Sequence, residues 1–187
     1  MKIKIAILGA SYLQKPLILK AKQLGCQIYC FAWEDGAVCK NIVDFFYPIS
    51  IVEKEKILKI CKEHNIDGIT TIGSDIAMTT VSYVAQNLNL ISNTQEATLI
   101  SRNKGLTRKY LEKNGLNTPK YWMGNDLTLF DNGIDYPLII KPSDSSGSRG
   151  ITKIYSKEEL FGAFDWAKSF SINKKVVIES FISGDEV

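Results

Sequence analysis

The stretch KIKIAILGASYLQKPLILKAKQLGCQIYCFA, residues 2–32, sets the pattern on which the fold depends. An apolar run over Lys2–Leu8 predicts a buried strand, and apolar residues at helical spacing predict a helix over Pro16–Leu24. Gly25 is placed to end that helix, and a second strand is predicted over Cys26–Ala32. A strand, a helix and a strand in this order predict two parallel strands joined by a crossover helix.

The alternation continues to about residue 93. Further strands are predicted over Asp44–Ile49, Ile66–Ile72 and, more briefly, Asn89–Ile91, with helices over Val52–Glu63 and Ile76–Leu88. We therefore expect an α/β fold whose first part is an open, mostly parallel, Rossmann-like sheet with helices on both faces. Ligands of such sheets bind where the strands end. That edge, here called the rim, comprises residues 9–11, 33–36 and 73–75.

After about residue 93 the order of the elements changes. Two consecutive helices are followed by strands around a single helix, which predicts a separate α+β layer. The predicted helices are Thr94–Ser101, Lys104–Lys113 and one from the capping box Ser156–Glu159 to about Ser169, and the predicted strands are Lys120–Met123, Tyr136–Lys141, Ile151–Tyr155 and Lys175–Phe181. We expect two domains, residues 1–93 and 94–187, the second with linker helices over 94–115 and a lobe over 118–187.

The composition is that of an ordinary globular protein. The 187 residues are 45% hydrophobic and 23% charged, and the net charge of +3 is too small and too dispersed to indicate a nucleic-acid partner. No apolar run is long enough to span a membrane, and the one at the amino terminus is too short for a signal peptide, so we expect a cytoplasmic protein. The four cysteines fit no zinc pattern, and a single histidine, His64, disfavours a metal site or a Ser-His-Asp triad.

The strongest indication of chemistry is YPLIIKPSDSSGSRGI, residues 136–151. An apolar strand brings Lys141 to its end, and a loop of small residues follows, in which backbone amides, hydroxyls and Arg149 can hold a phosphate. The alternative is a flexible hairpin loop, with the lysine reaching for solvent at the strand end. The chain has no Walker A motif, and residues 9–14 lack the G-x-G-x-x-G pattern, which counts against a doubly wound oxidoreductase.

Two further residues are notable for their positions. Glu179 falls within the otherwise apolar strand of VVIESFISGDEV, residues 176–187, where a lone carboxylate is costly to bury. It needs a partner, either an amine of a ligand or a nearby cation, unless the strand lies at an edge with its charges in water. Lys104 lies at the predicted start of a helix, which is unfavourable for a cation, although exposed lysines are tolerated there.

Together these segments resemble the ATP-grasp family of ligases, and the resemblance extends over the whole chain. It is carried by SRNKGLTRKYLEKNGLNTPKY (101–121), IIKPSDSSGSRGI (139–151) and VIESFISGDE (177–186). The resemblance implies that Lys104 and Lys141 contact the phosphates of ATP. It also implies that a loop folds over the β- and γ-phosphates; its residues are Ser145, Ser146, Gly147, Ser148, Arg149 and Gly150. For the adenosine part of ATP, the resemblance implies that Glu179 faces the adenine amino group and that the backbone of Ser180 and Ile182 faces the adenine edge. It further implies that Glu186 binds the ribose hydroxyls.

The first domain resembles the domain that precedes the ATP-grasp fold in these ligases, particularly in carbamoyl-phosphate-synthase-like members. The matching segments are AILGASYLQKPLILKAKQLG (6–25) and IDGITTIGSD (66–75). Packing in the core is the alternative role for Trp33, and capping of a helix is the alternative for the pair after Gly73. Because the family's rim helps to bind the substrate, the candidate substrate contacts are Ser11, Gln14, Trp33, Asp35, Ser74 and Asp75.

The resemblance implies an ATP-dependent ligase that activates a carboxylate or bicarbonate as an acyl phosphate, which an amine then attacks. The implied cofactors are ATP and Mg²⁺, the other partner is a small carboxylate or amine, and exposed strands favour a homodimer. The family's second lobe, which holds the metal, has no counterpart before Val187. We therefore expect an N-terminal fragment that is inactive alone. The alternative function is a non-catalytic regulatory module that binds a nucleotide or small molecule.

Overall fold

The computed structural model describes residues 2–130, 133 and 135–184, and the chain divides into two compact units, Met1–Thr98 and Leu99–Val187. In the first unit the described strands pair in parallel in the order β3-β2-β1-β4. This is the predicted open parallel sheet. Its elements are β1 (Lys4–Leu8), α1 (Lys15–Gln23), β2 (Gln27–Phe31), β3 (Phe45–Tyr47), α2 (Lys54–Glu63), β4 (Gly68–Thr70) and α3 (Asp75–Asn87).

Each face of the parallel sheet has its own apolar core. Ala6 and Leu8 of β1 are buried together with residues of α2 and α3, whereas Ile7 is buried with Ile18 and Ala21 of α1. This division follows from the two-residue period of a strand, which points successive side chains to opposite faces. Helices therefore cover both faces, as the sequence predicts, and the central strands are apolar throughout most of their length.

The short strand predicted over Asn89–Ile91 is wrong. Asn89 has a φ of +54°, and the amide of Leu90 donates a hydrogen bond to the carbonyl of Ala85 at 2.8 Å. A left-handed residue followed by a hydrogen bond back into the last turn is a common way for a helix to end. The segment therefore terminates α3 and adds nothing to the sheet.

The second unit contains the predicted α+β layer. The division between the units falls within α4 (Gln95–Arg102). The further described elements are α5 (Lys104–Lys113), β5 (Tyr121–Gly124), β6 (Leu138–Pro142), β7 (Thr152–Ile154), α6 (Leu160–Phe170) and β8 (Val176–Ser180). The described strands form an antiparallel sheet in the order β5-β8-β6-β7. In the part of the chain that the structure describes, no helix of either unit is both long and apolar enough to cross a bilayer.

The register of the antiparallel sheet separates an apolar face from a charged one. Leu138 and Ile140 of β6 are fully buried in a core with Phe164 of α6. The alternate residues of β6 point to the other face, and there Ile139 lies opposite Glu179 of β8. Lys141 is two residues further along β6, so it is a diagonal neighbour of Glu179 on the same face. The sheet itself therefore brings these two charged residues together.

Candidate functional site

A buried carboxylate held by two cations lies on the charged face of the second unit. Glu179 is only 5% exposed. One of its oxygens, Oε2, accepts a hydrogen bond from Nε of Arg108 at 2.9 Å, and Oε1 accepts from Nη2 of the same guanidinium at 3.3 Å. The ammonium of Lys141 also forms an ion pair with Oε1. Of the two partners that the sequence leaves open for Glu179, a ligand amine or a cation, the structure supplies the cation twice.

These contacts determine the charge state of Glu179. Burial raises the pKa of its carboxyl, but the hydrogen bonds and charges of Arg108 and Lys141 lower it by more. The net pKa lies below the usual value for a glutamate, so the group is ionised at neutral pH. A buried carboxylate with two cationic donors is satisfied, whereas any one of the three groups left alone would be costly.

Arg108 is the functional candidate that the sequence analysis missed. It lies four residues after Lys104 on α5, and this spacing places both side chains on one face of the helix. The segment that carries the ATP-grasp resemblance contains both residues, so the helical spacing was available as a signal. What the sequence could not give is the contact with Glu179, 71 residues away.

Lys104 connects the start of α5 to the small-residue loop. Its ammonium donates to the carbonyl of Ser145 at 2.6 Å, and its backbone amide donates to the carbonyl of Ser143 at 2.8 Å. The side chain of Asn103 caps the helix by accepting from the amide of Leu106 at 3.0 Å. Lys104 therefore lies beside the loop that the sequence predicts to hold phosphates.

The loop over residues 145–150 is anchored at both ends and exposed in the middle. Ser145 donates its hydroxyl to the carbonyl of Phe170 at 2.5 Å, and Gly150 packs closely against the same phenylalanine. Residues 146–149, which include Ser146 and Arg149, are exposed. Gly147 and Ser148 have φ values of +71° and +54°, left-handed conformations that turn the chain tightly. The loop thus has fixed ends and an open tip, as a loop that folds over an anion requires.

The remaining predicted nucleotide contacts are placed less tightly. The amide of Ser180 already donates to the carbonyl of Lys120 at 2.9 Å, so it is not free for a ligand. Ile182 follows β8 and is 66% exposed. Glu186 lies outside the described residues. The adenine and ribose contacts predicted for these positions stay predictions.

A cavity of about 530 Å³, here called the rim cavity, lies in the first unit where the parallel strands end. It is lined by the loops after β1, β2 and β4, which is the placement that a parallel sheet predicts. Asp75 does not line it and is instead the first residue of α3. The other five candidate substrate contacts do line it: Ser11, Gln14, Trp33, Asp35 and Ser74.

Gln14 supports the rim cavity through hydrogen bonds within the protein. Its Oε1 accepts from the amide of Ser11 at 3.1 Å and from the hydroxyl at 2.7 Å, and its Nε2 donates to the carbonyl of Ile72 at 2.5 Å. The residue is 3% exposed. Gly9, with φ +97°, is needed here because a Cβ atom would come within 2.8 Å of the Gln14 side chain. Gln14 therefore holds two rim loops together and has little hydrogen-bonding capacity left for a ligand.

The alternative roles of Trp33 and Ser74 do not hold in the structure. Trp33 is 71% exposed, so it is not a packing residue of the core. Ser74 is the N-cap residue of α3, but its side chain makes no capping hydrogen bond. Both side chains are thus available at the rim cavity.

The described residues offer no site for a metal ion. Within 2–130, 133 and 135–184, no three His, Cys, Asp or Glu side chains are grouped so that they could hold one. The acidic group on the charged face, Glu179, is already committed to Arg108 and Lys141. These residues do not fit Mg²⁺.

Comparison with known proteins agrees with the observed fold, a parallel sheet followed by an antiparallel one. The family model described as D-ala D-ala ligase C-terminus matches residues 113–187. In this match and in its curated relatives, the chain is similar to ATP-grasp ligases. A formate-dependent phosphoribosylglycinamide formyltransferase from Prochlorococcus marinus (strain NATL2A) is 30% identical over 189 residues, which cover 97% of this chain and 48% of the relative. The chain thus spans about half the length of the curated relatives it matches.

Solved structures show the same fold at lower sequence identity. An L-amino acid ligase from Bacillus licheniformis superposes with a TM-score of 0.78 at 24% identity, over 98% of this chain and 45% of that one. The biotin carboxylase domain of the 2-oxoglutarate carboxylase from Hydrogenobacter thermophilus, described as a dimer in complex with MgADP, ADP and bicarbonate, gives a TM-score of 0.79 at 18% identity. It covers 98% of this chain and 45% of that protein. At these identities the comparison concerns the fold alone.

Proposed function

We propose that this chain forms the nucleotide-binding portion and the preceding domain of an ATP-dependent ligase that activates a small carboxylate as an acyl phosphate for attack by an amine. The observation that carries the proposal is the cluster on the charged face of the second unit. Three basic side chains, those of Lys104, Arg108 and Lys141, lie on that unit with a small-residue loop, and one buried carboxylate contacts two of them.

The electrostatics of the cluster favour an anionic ligand. Glu179 can neutralise only one of the two cations that it contacts, and Lys104 adds a third basic side chain beside the small-residue loop. Cations gathered near each other at a partly buried place are stabilised by a phosphate, which accepts several charge-assisted hydrogen bonds at once. The exposed loop tip supplies further donors, among them Arg149.

The chemistry that these residues support is positioning and charge stabilisation. Phosphoryl transfer spreads negative charge over the transferred oxygens, and fixed cations lower the energy of that state without forming bonds to it. Lys104 and Lys141 would bind and orient the phosphates, and Arg108 would keep Glu179 in place as they do so. Formate, named for the Prochlorococcus relative, is the first carboxylate to test, and bicarbonate, named for the Hydrogenobacter carboxylase structure, is the second.

Titration of the 187-residue chain with a non-hydrolysable ATP analogue, followed by NMR of the backbone amides, tests the proposal. We expect the largest shifts at Lys104, Lys141 and residues 146–150. Replacing Lys104→Ala should weaken binding about tenfold, because a hydrogen bond to a charged group contributes about 1.5 kcal/mol or more. The matched control is Lys113→Ala, an exposed lysine at the other end of the same helix. Absence of shifts within Leu99–Gly184 at millimolar analogue, or equal weakening by both variants, would contradict the proposal.

A further inference from the structure

The rim cavity has an apolar lining. The large side chains around it are those of Leu13, Trp33, Ile51, Val52 and Ile76. Four of them, all except Ile51, are between 41% and 71% exposed. Apolar side chains that surround a concave surface and remain this exposed are typical of a binding site for an apolar group. A volume of about 530 Å³ is within the range of small-molecule sites.

The charge of the rim cavity is negative. Among the described residues that line it there is no lysine, arginine or histidine, and the one ionisable side chain is Asp35. Within residues 2–130, 133 and 135–184, the carboxylate of Asp35 has neither an ion-pair nor a hydrogen-bond partner. The neighbouring Glu34, by contrast, is paired with Lys40. Asp35 is therefore available to bind a cation from outside the protein.

The same features disfavour a phosphorylated ligand. Phosphate sites in proteins supply basic side chains or free helix N-termini. Two helices start at the rim. In α3, Asp75 in the first turn offsets the attraction of the helix terminus for an anion. In α1, which has no acidic residue in its first turn, the N-cap residue Gln14 uses its side chain to bond the protein itself. A sugar phosphate would thus meet one carboxylate, that of Asp35, and apolar groups in a lining that contains no basic side chain among the described residues.

We propose that the rim cavity binds a primary amine with an apolar substituent, the ammonium group on Asp35 and the substituent against Trp33, Val52 and Ile76. This inference rests on the proposed function and makes it more specific, because the amine would be the acceptor of the acyl group. It separates this chain from the formyltransferase relatives, whose name specifies a phosphoribosyl substrate. Ser74, whose hydroxyl makes no capping bond, is positioned to accept a further hydrogen bond from the ammonium.

The inference can be tested with three probes of known chemistry: 2-phenylethylamine, its uncharged analogue 2-phenylethanol, and ribose 5-phosphate. Each is titrated into the chain while NMR follows the indole N–H of Trp33 and the amides of Gly36 and Gly73. We expect the amine to shift these signals most strongly, the alcohol to bind more weakly, and the sugar phosphate to leave them unchanged. Asp35→Asn should weaken the amine about two- to fivefold, which is the range for an exposed ion pair, and leave the alcohol unaffected.

Glu34→Gln is the matched control, since it removes a carboxylate at the adjacent position that does not line the cavity. The inference is overturned if ribose 5-phosphate shifts the rim signals as much as the amine does, if amine and alcohol bind equally, or if Asp35→Asn and Glu34→Gln have the same effect. In the same samples the ATP analogue reports on the second unit. Nucleotide binding without amine binding overturns this inference alone, whereas loss of nucleotide binding overturns the proposed function.

Discussion

Replacing Glu179→Gln tests whether the buried ion cluster is part of the folded protein itself, with no nucleotide needed to hold it. The substitution keeps the shape of the side chain and removes its charge, which leaves Arg108 and Lys141 facing an amide. Breaking a buried ion pair costs about 3–5 kcal/mol. The Arg108 side chain is 25% exposed, so water offsets part of the loss, and we expect about 3 kcal/mol. For a unit of the size of Leu99–Val187, a loss of that magnitude lowers the melting temperature by roughly 12–24 °C.

The assay is urea unfolding at several pH values, with Asp165→Asn, an exposed carboxylate of α6, as the matched control. Because the pKa of Glu179 is lower in the folded than in the unfolded state, its stabilising contribution is complete above the unfolded value, about pH 4.3. The contribution is lost as the pH falls through the folded pKa. The curves of wild type and Glu179→Gln should therefore converge in acid, whereas the Asp165→Asn control should stay close to wild type throughout.

A double variant makes the test stricter. Adding Lys141→Met to Glu179→Gln removes one of the two cations that have lost their carboxylate partner, so the double variant should be more stable than Glu179→Gln alone. A cost below about 1 kcal/mol for Glu179→Gln, or an unchanged difference from wild type between pH 7 and pH 3, would refute the reasoning. Either result would mean that the carboxylate is not stabilised by its two cations in the absence of a ligand.

Two further predictions concern packing and thiol reactivity. Gly150→Ala should lower the free energy of unfolding of the second unit in urea by about 1–3 kcal/mol, because the residue has φ +72° and a Cβ atom would lie 2.9 Å from the ring of Phe170. The control Gly147→Ala has a similar φ but open space around the position, so it should cost less. Equal costs for the two variants would contradict the steric argument. Burial raises the pKa of the Cys30 and Cys61 thiols to about 12, so iodoacetamide at pH 8 should modify them only after unfolding; mass spectrometry that finds them alkylated in the folded chain would contradict this.

The secondary structure and several features of the candidate site could be predicted from the sequence alone. The strand–helix rhythm of residues 2–32 predicted the parallel sheet, because alternation and helical spacing are local properties that neighbouring residues fix. The loop after Lys141 and the buried position of Glu179 were also readable, since both depend on the order of residues along one strand. The strand predicted over Asn89–Ile91 was wrong because the residue types of this short segment do not reveal the left-handed conformation of Asn89 that ends the helix.

The partners of the functional residues depended on the tertiary structure. Arg108 reaches Glu179 across 71 residues, Gln14 reaches the carbonyl of Ile72 across 58, and Lys104 reaches that of Ser145 across 41. No local pattern specifies such contacts, because they exist only when the sheet register and the helix packing place separate segments together. The sequence thus determined the elements and the residue types that could act, by the periodicity of burial. The folded structure decided which charged groups contact each other. A buried charge without a partner is costly, and the sheet register determines which opposite charge lies close enough to pair with it.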